Sequence, residues 1–405
     1  MPRPSAADRL RGAIPAFRRA TACDRSAERQ ARWGDGVALL VCCWLPALLT
    51  VGRFVSTARE HAFAFDFHHY YWLSGHYALH GRSPFPPPTP DAVLLTHTYP
   101  AAPYPAPVPV FFAPFGLLPV QLAEVIFTAI LVAALFFALH LVGVRDWRCY
   151  GAAFLWAPVA FAIQTANLTL LLLLGLAILW RLRHRIVGPA VVLGVLISLK
   201  LFLWPLGIWL LATRRYAAAA WSLVVAAAIT LGTWAMLGFA GFQDYPRVAR
   251  IFGRYYESSS YTPFSFLVHL GVPDPWARAG GLALGVAALV AVVVTARRNR
   301  SERTSFTIAV AAALLLTPIV WLHYFALMLV PLALLSPTFS VVWVLPVILW
   351  ACPVGGHMST WKYAFPLVVF AVVLLLAQRV RLRPRAIASS GRIVLVSSGE
   401  AQPFA

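Results

Sequence analysis

The sequence predicts an all-α polytopic membrane protein, a bundle of about twelve transmembrane helices, and three observations predict it. Of its 405 residues 60% are apolar and only 12% charged, with a mean hydropathy of +0.74, whereas soluble domains carry roughly 25% charged residues. Apolar stretches of the length needed to cross a ~30 Å hydrocarbon core recur along the whole chain, leaving no room for a sizeable soluble domain. The arginines behind the net charge of +19 fall in short clusters between those stretches and at both ends, with no interleaved aromatic platform, which excludes a nucleic-acid surface and reads as a topology signal.

Residues 1–36 carry arginines from Arg3 to Arg32 and lack the long apolar core and small-residue cleavage site of a secretory signal, so they are expected to be a cytoplasmic tail. The integral domain then runs over 37–380. Its first span, 37–55, is an uncleaved anchor leading into an outer loop, 56–108, too aromatic and proline-pinned for a slack linker and expected to fold against the membrane surface. Further spans are expected at 109–143, 149–165, 167–181, 186–200, 201–213, 217–239, 278–296, 305–322, 324–337, 339–353 and 363–379. Between them stand Arg145 and Arg148, then Arg181, Arg183 and Arg185, then Arg214 and Arg215, then Arg297, Arg298, Arg300 and Arg303. The positive-inside rule puts all these, and the basic tail 381–405, in the cytoplasm. The span count must then be even. Several stretches fall short of ~17 residues, which admits re-entrant or merged segments and a count from about ten to thirteen. The outer side holds loop 56–108, loops 240–277 and 354–362, and tight turns near 166, 200 and 323.

The five cysteines show no pairing pattern, so neither a disulfide nor a metal site is implied. Lys200 and Lys362 are the only lysines, a bias expected of a GC-rich bacterial genome, and hence of a bacterial cytoplasmic membrane.

Against this hydrocarbon background the polar residues stand out. Asp66, in Phe65-Asp66-Phe67-His68-His69-Tyr70-Tyr71 just after the first span, places a carboxylate at the mouth of the bundle, where the default reading is functional. Lys200 ends a span, either to meet an anionic partner or to snorkel to the headgroups. His323, beside a tight turn, donates to a phosphate, orients Asp66, or is an interfacial residue. Gln164 and Asn167 sit at a hairpin tip, positioned either to bind sugar-like hydroxyls or to satisfy backbone groups freed by the turn. Glu124 near the outer end of the second span either pairs with Arg82 or Lys200 or is an alternative base. Arg247, Arg250 and Arg254 run against the positive-inside trend, as a solvated basic face or as attractors of anionic lipid headgroups or the donor phosphate. His68 and His69 lack a spaced third ligand and the chain has no Asp-x-Asp pair, so no metal or other cofactor is expected.

Taken in order, Asp66-x-x-x-Tyr70-Tyr71, Gly81-Arg82-Ser83-Pro84-Phe85, Tyr99-Pro100 with Tyr104-Pro105, Leu117-Leu118-Pro119, Gln164-x-x-Asn167, Leu199-Lys200 and Pro318-x-x-Trp321-x-His323-Tyr324 resemble glycosyltransferase family 87. These are the polyprenyl-phosphate-mannose-dependent mannosyltransferases of the GT-C membrane superfamily. The resemblance implies a GT-C type helix bundle with Asp66 as catalytic base and Lys200, His323 and Arg254 around the donor phosphate. It further implies substrate contacts from Tyr70, Tyr71, Tyr99, Gln164, Asn167 and Trp321, with Glu124 a secondary candidate. The chain departs from the pattern where Lys200 is followed by Leu201-Phe202-Leu203-Trp204 before Pro205, and where the Tyr-Pro element is spread over two sites.

The chemistry agrees. An enzyme on the outer face needs a sugar already carried in the membrane, and a phosphate leaving group needs no proton, so one carboxylate base suffices and inversion follows. The expected partners are a polyprenyl-phosphate sugar donor, a glycolipid or cell-envelope glycan acceptor and the bilayer. The alternatives are an arabinofuranosyl transferase with the same kind of donor, and a lipid-linked-sugar flippase or secondary transporter. Carriers show paired halves and charges at the midplane, unlike the outer-end clustering here.

Overall fold

A computed structural model describes residues 63–94, 104–298, 301–352 and 359–382, with 36–37, 40–45, 48–49, 51–52 and 55–56 before them. Residues 1–35 and 383–405 of the expected tails, part of the first span, and Tyr99 lie outside the described residues. Among those described, every regular element is helical.

Residues 63–94 and 104–117, after the first span, pack together as a folded unit. A π-helical stretch, Phe67–Trp72, runs into α1 (Leu73–Leu79), followed by α2 (Pro90–Leu94) and α3 (Pro107–Phe112), which 3-10 turns over Ala113–Leu117 continue. Here α1 meets α3 and its extension backbone to backbone. A Cβ on Gly75 would lie 2.6 Å from the Phe112 carbonyl carbon, and one on Gly116 2.8 Å from the His76 Cα. Only glycine permits that approach. Beneath it Tyr71 stacks on Phe112 at 4.6 Å and Phe67 on Phe127 at 4.8 Å, all four fully buried.

The bundle follows as α4 (Val120–Leu141), α5 (Trp147–Phe154), α6 (Ala157–Gln164), α7 (Thr169–Leu182), α8 (Val187–Leu199), α9 (Pro205–Ala212), α10 (Tyr216–Met236), α11 (Tyr245–Tyr256), α12 (Pro263–His269), α13 (Asp274–Arg297), α14 (Glu302–Leu316), α15 (Leu329–Leu335), α16 (Val341–Val344) and α17 (Thr360–Leu382).

The expectation of about twelve spans is not met by twelve full-length helices. Among the described residues α4, α10, α13 and α17 are long and apolar enough to cross a membrane, and α6 with α7 make a fifth if their 119° bend is one broken span. Proline accounts for much of the shortfall, because it removes an N–H and clashes with the preceding turn. Pro158 opens α6 where 149–165 was expected to run through; Pro205 opens α9 after 3-10 turns; Thr317 and Pro318 stop α14 at Leu316; and Pro346 leaves 339–353 as α16 plus 3-10 turns. The segment Leu322–Leu335 is buried along its whole length, an apolar element enclosed by other helices rather than by lipid.

At one end of the bundle three of the basic clusters meet. Glu302 at the start of α14 accepts from Arg183 Nε at 3.0 Å and pairs with Arg215, which precedes α10. These segments therefore share one face. At 1.5 Å per residue, α7 carries the chain about 24 Å from Arg183 back to Asn167 at the opposite end.

Candidate active site

At that opposite end the tip joining α6 to α7 docks on the segment that carries Asp66. Ala64 N donates to Gln164 O at 2.8 Å, and Asp66 N and Phe67 N both donate to Thr165 O, at 3.0 and 3.2 Å. Ala64 and Ala166 flank this contact with φ of +54° and +49°, left-handed conformations that cost an alanine roughly 1–2 kcal/mol each and persist where the surroundings over-determine them.

The docking sets the Asp66 carboxylate beside Asn167, whose Nδ2 donates to Asp66 Oδ2 at 2.6 Å. The amide cannot turn over, because its Oδ1 accepts from Thr169 N at 3.0 Å and Thr169 Oγ1 at 2.7 Å. Behind stands Lys200, where α8 ends in extended backbone. It is 6% exposed, donates to Tyr324 Oη at 2.9 Å and lies 4.0 Å over the Tyr104 ring. Burial pushes the Asp66 carboxyl above the usual carboxylate range, and the Asn167 hydrogen bond and Lys200 charge pull it only part of the way back.

Asp66 faces a cavity of about 270 Å³. Its wall contains four of the residues the sequence singled out: Asp66, Tyr70, Trp321 and His323. His323 is buried, and its Nε2 has no hydrogen-bond partner among the described residues. Asn167 and Lys200 lie behind this wall, not in it. Tyr71 is turned into the core, fully buried against Phe112. The Gln164 side-chain oxygen is buried without a partner among the described residues, outside the cavity. Arg254 stands exposed on α11, away from the wall. Glu124 pairs with neither Arg82 nor Lys200 as expected; its Oε1 meets His68 Nδ1 at 3.0 Å, because α4 brings it under the π-helical stretch rather than to the cavity. His69 Nδ1 turns to Phe65 O.

The wall also contains Tyr104 of the spread Tyr-Pro element, and residues the sequence did not bring forward, among them Phe161, Thr165, Phe252, Tyr256, Ser259 and Tyr261. A signal existed for two of them, since Val248, Phe252 and Tyr256 recur every four residues and mark the inward face of α11. Tyr261 reaches the site through a non-local bond, its N donating to Val320 O at 2.8 Å, which no sequence pattern announces.

The arrangement offers one carboxylate with a fixed partner, a buried cation behind it, an imidazole and several aromatic rings. Asp66 is the only carboxylate among the described residues of the wall. No curated protein and no solved structure matches the chain. A family model does, that of glycosyltransferase family 87, over residues 103–320; it takes in Asn167 and Lys200, stops just before Trp321 and His323, and begins after Asp66. With more than half its length matched, and with the membrane helices described above, the chain belongs to glycosyltransferase family 87.

Proposed function

We propose that this membrane glycosyltransferase moves a hexosyl unit, mannose in our reading, from a polyprenyl-phosphate sugar to a glycolipid or cell-envelope glycan. The reaction takes place at the outer face of the bacterial cytoplasmic membrane, both termini lying in the cytoplasm, and inverts the anomeric centre. The observation that supports it most is the single held carboxylate of Asp66 in an aromatic-walled cavity at the end of the bundle away from the basic clusters. A glycosidase would need a second carboxylate across the site.

In the proposed step the Asp66 oxygen not held by Asn167 takes the proton of the acceptor hydroxyl as the hydroxyl oxygen attacks the anomeric carbon. The bond from that carbon to the donor phosphate breaks, and its electron pair leaves on the phosphate. His323, through Nε2–H, donates to the departing phosphate, and Lys200 favours the negative charge from behind the wall. The rings of Tyr70, Tyr104, Tyr256 and Trp321 give the sugar's C–H faces apolar surface and its hydroxyls a few donors. The step uses no divalent metal.

The test is transfer of radiolabel by the purified chain in liposomes, offered polyprenyl-phosphate-mannose or polyprenyl-phosphate-arabinofuranose, with and without a metal chelator. Label transferred from the mannosyl donor under chelation supports the proposal. Transfer from arabinofuranose alone reassigns the sugar, and loss under chelation removes the metal-free step.

A further inference from the structure

α11 has two faces, and the proposed reaction uses only one. Val248 and Phe252 are buried against Val93 and Leu94 of α2, and Phe252 and Tyr256 form cavity wall. On the opposite side Arg247, Arg250 and Arg254 stand exposed. At about 100° and 1.5 Å per residue they lie within about 60° of arc along about 10 Å of helix. Among the described residues no carboxylate forms an ion pair with any of them, and nearby Glu257 is taken by Arg278.

The position of α11 is equally particular. It lies in the connection between two full spans, α10 ending at Met236 and α13 starting at Asp274, so it sits at the membrane surface, at the cavity end. Phe239, Phe242, Tyr255 and Trp276 around it are exposed, a mixture of rings and guanidinium groups that suits the headgroup level. On the topology proposed above this is the outer side, where arginine is scarce elsewhere in the chain.

We propose that the arginine face of α11 binds the phosphates of anionic phospholipid headgroups in the leaflet at the cavity end, and thereby holds Phe252 and Tyr256 in the cavity wall. Guanidinium groups pair with phosphate through two parallel hydrogen bonds. The face is an open ridge turned away from the cavity, so a donor phosphate seated beside Asp66 does not reach it, whereas headgroups surround it. One such charge near an anionic surface strengthens association about fivefold, and three together on the order of a hundredfold.

The experiment needs no sugar and so stands apart from the transferase proposal. Amide hydrogen exchange over residues 245–256 is measured on the full chain in nanodiscs of phosphatidylcholine alone, phosphatidylcholine with phosphatidylglycerol, or phosphatidylcholine with polyprenyl phosphate. Exchange is expected to slow at least about fivefold with phosphatidylglycerol, and the effect should be lost in R247Q/R250Q/R254Q at unchanged melting temperature. Should that variant unfold, the wild type in high salt gives the same answer, because screening weakens exposed charge pairs. Equal exchange in the neutral and phosphatidylglycerol discs, or slowing by polyprenyl phosphate alone, overturns the proposal.

Discussion

Asn167 Nδ2 donates to Asp66 Oδ2 across 2.6 Å, and the same amide is locked from its other side by Thr169. The hydrogen bond fixes the orientation of the carboxylate. A hydrogen bond to a charged group contributes about 1.5–3 kcal/mol. Asn167→Ala is therefore expected to lower kcat on the order of 10- to 100-fold with little change in KM, measured by initial rates of sugar transfer. A large rise in KM at unchanged kcat would instead make Asn167 a substrate contact.

The pH dependence follows from the raised Asp66 pKa. The base acts as carboxylate, so the rate should fall as pH drops through a value above the ordinary carboxylate range, and Asn167→Ala should move that acid limb higher still. A pH–rate profile of kcat/KM checks both shifts.

The same sign bears on stability. The folded chain holds the Asp66 proton more tightly than the unfolded chain, so stability from this group is greatest at low pH and declines as pH rises through its folded value. Asp66→Asn, which resembles the protonated form, is expected to keep or raise the melting temperature. Thermal unfolding in detergent measures this.

Lys200 is the buried cation nearest the site, held by Tyr324. Lys200→Met is expected to cost activity on the order of 10²-fold, because Asp66 and the leaving phosphate lose their stabilising charge, and to move the acid limb upward. Lys200→Arg should rescue poorly, since a planar guanidinium does not fit a compact ammonium site. Transfer rates and pH profiles of the two variants decide.

Gly75 and Gly116 let α1 meet the chain beyond α3 at backbone contact. Gly75→Ala is expected to destabilise this packed segment by about 1–3 kcal/mol through overpacking, visible as faster hydrogen exchange over 67–79.

Parts of this were legible in the sequence for a physical reason. Charged side chains in an apolar chain are costly, so Asp66, Lys200 and His323 announced themselves, and breaks expected near 166, 200 and 323 coincide with the left-handed Ala166, the extended Lys200 and the 3-10 turns from Leu322. The span count was not legible, because hydropathy reads Leu322–Leu335 as it would a lipid-facing helix, although protein encloses it. Nor was most of the wall: Phe161 and Tyr261 look like any interfacial aromatic until the fold brings them together. Asn167 was visible as a residue but not in its orientation, which depends on a partner 101 positions away.

We propose Asp66 as the base. The most direct measurement is transfer of radiolabelled mannose from polyprenyl-phosphate-mannose by wild type and Asp66→Asn, at matched expression and matched melting temperature. Label is expected to be incorporated by the wild type and essentially not at all by Asp66→Asn. Equal incorporation by both would contradict the proposal.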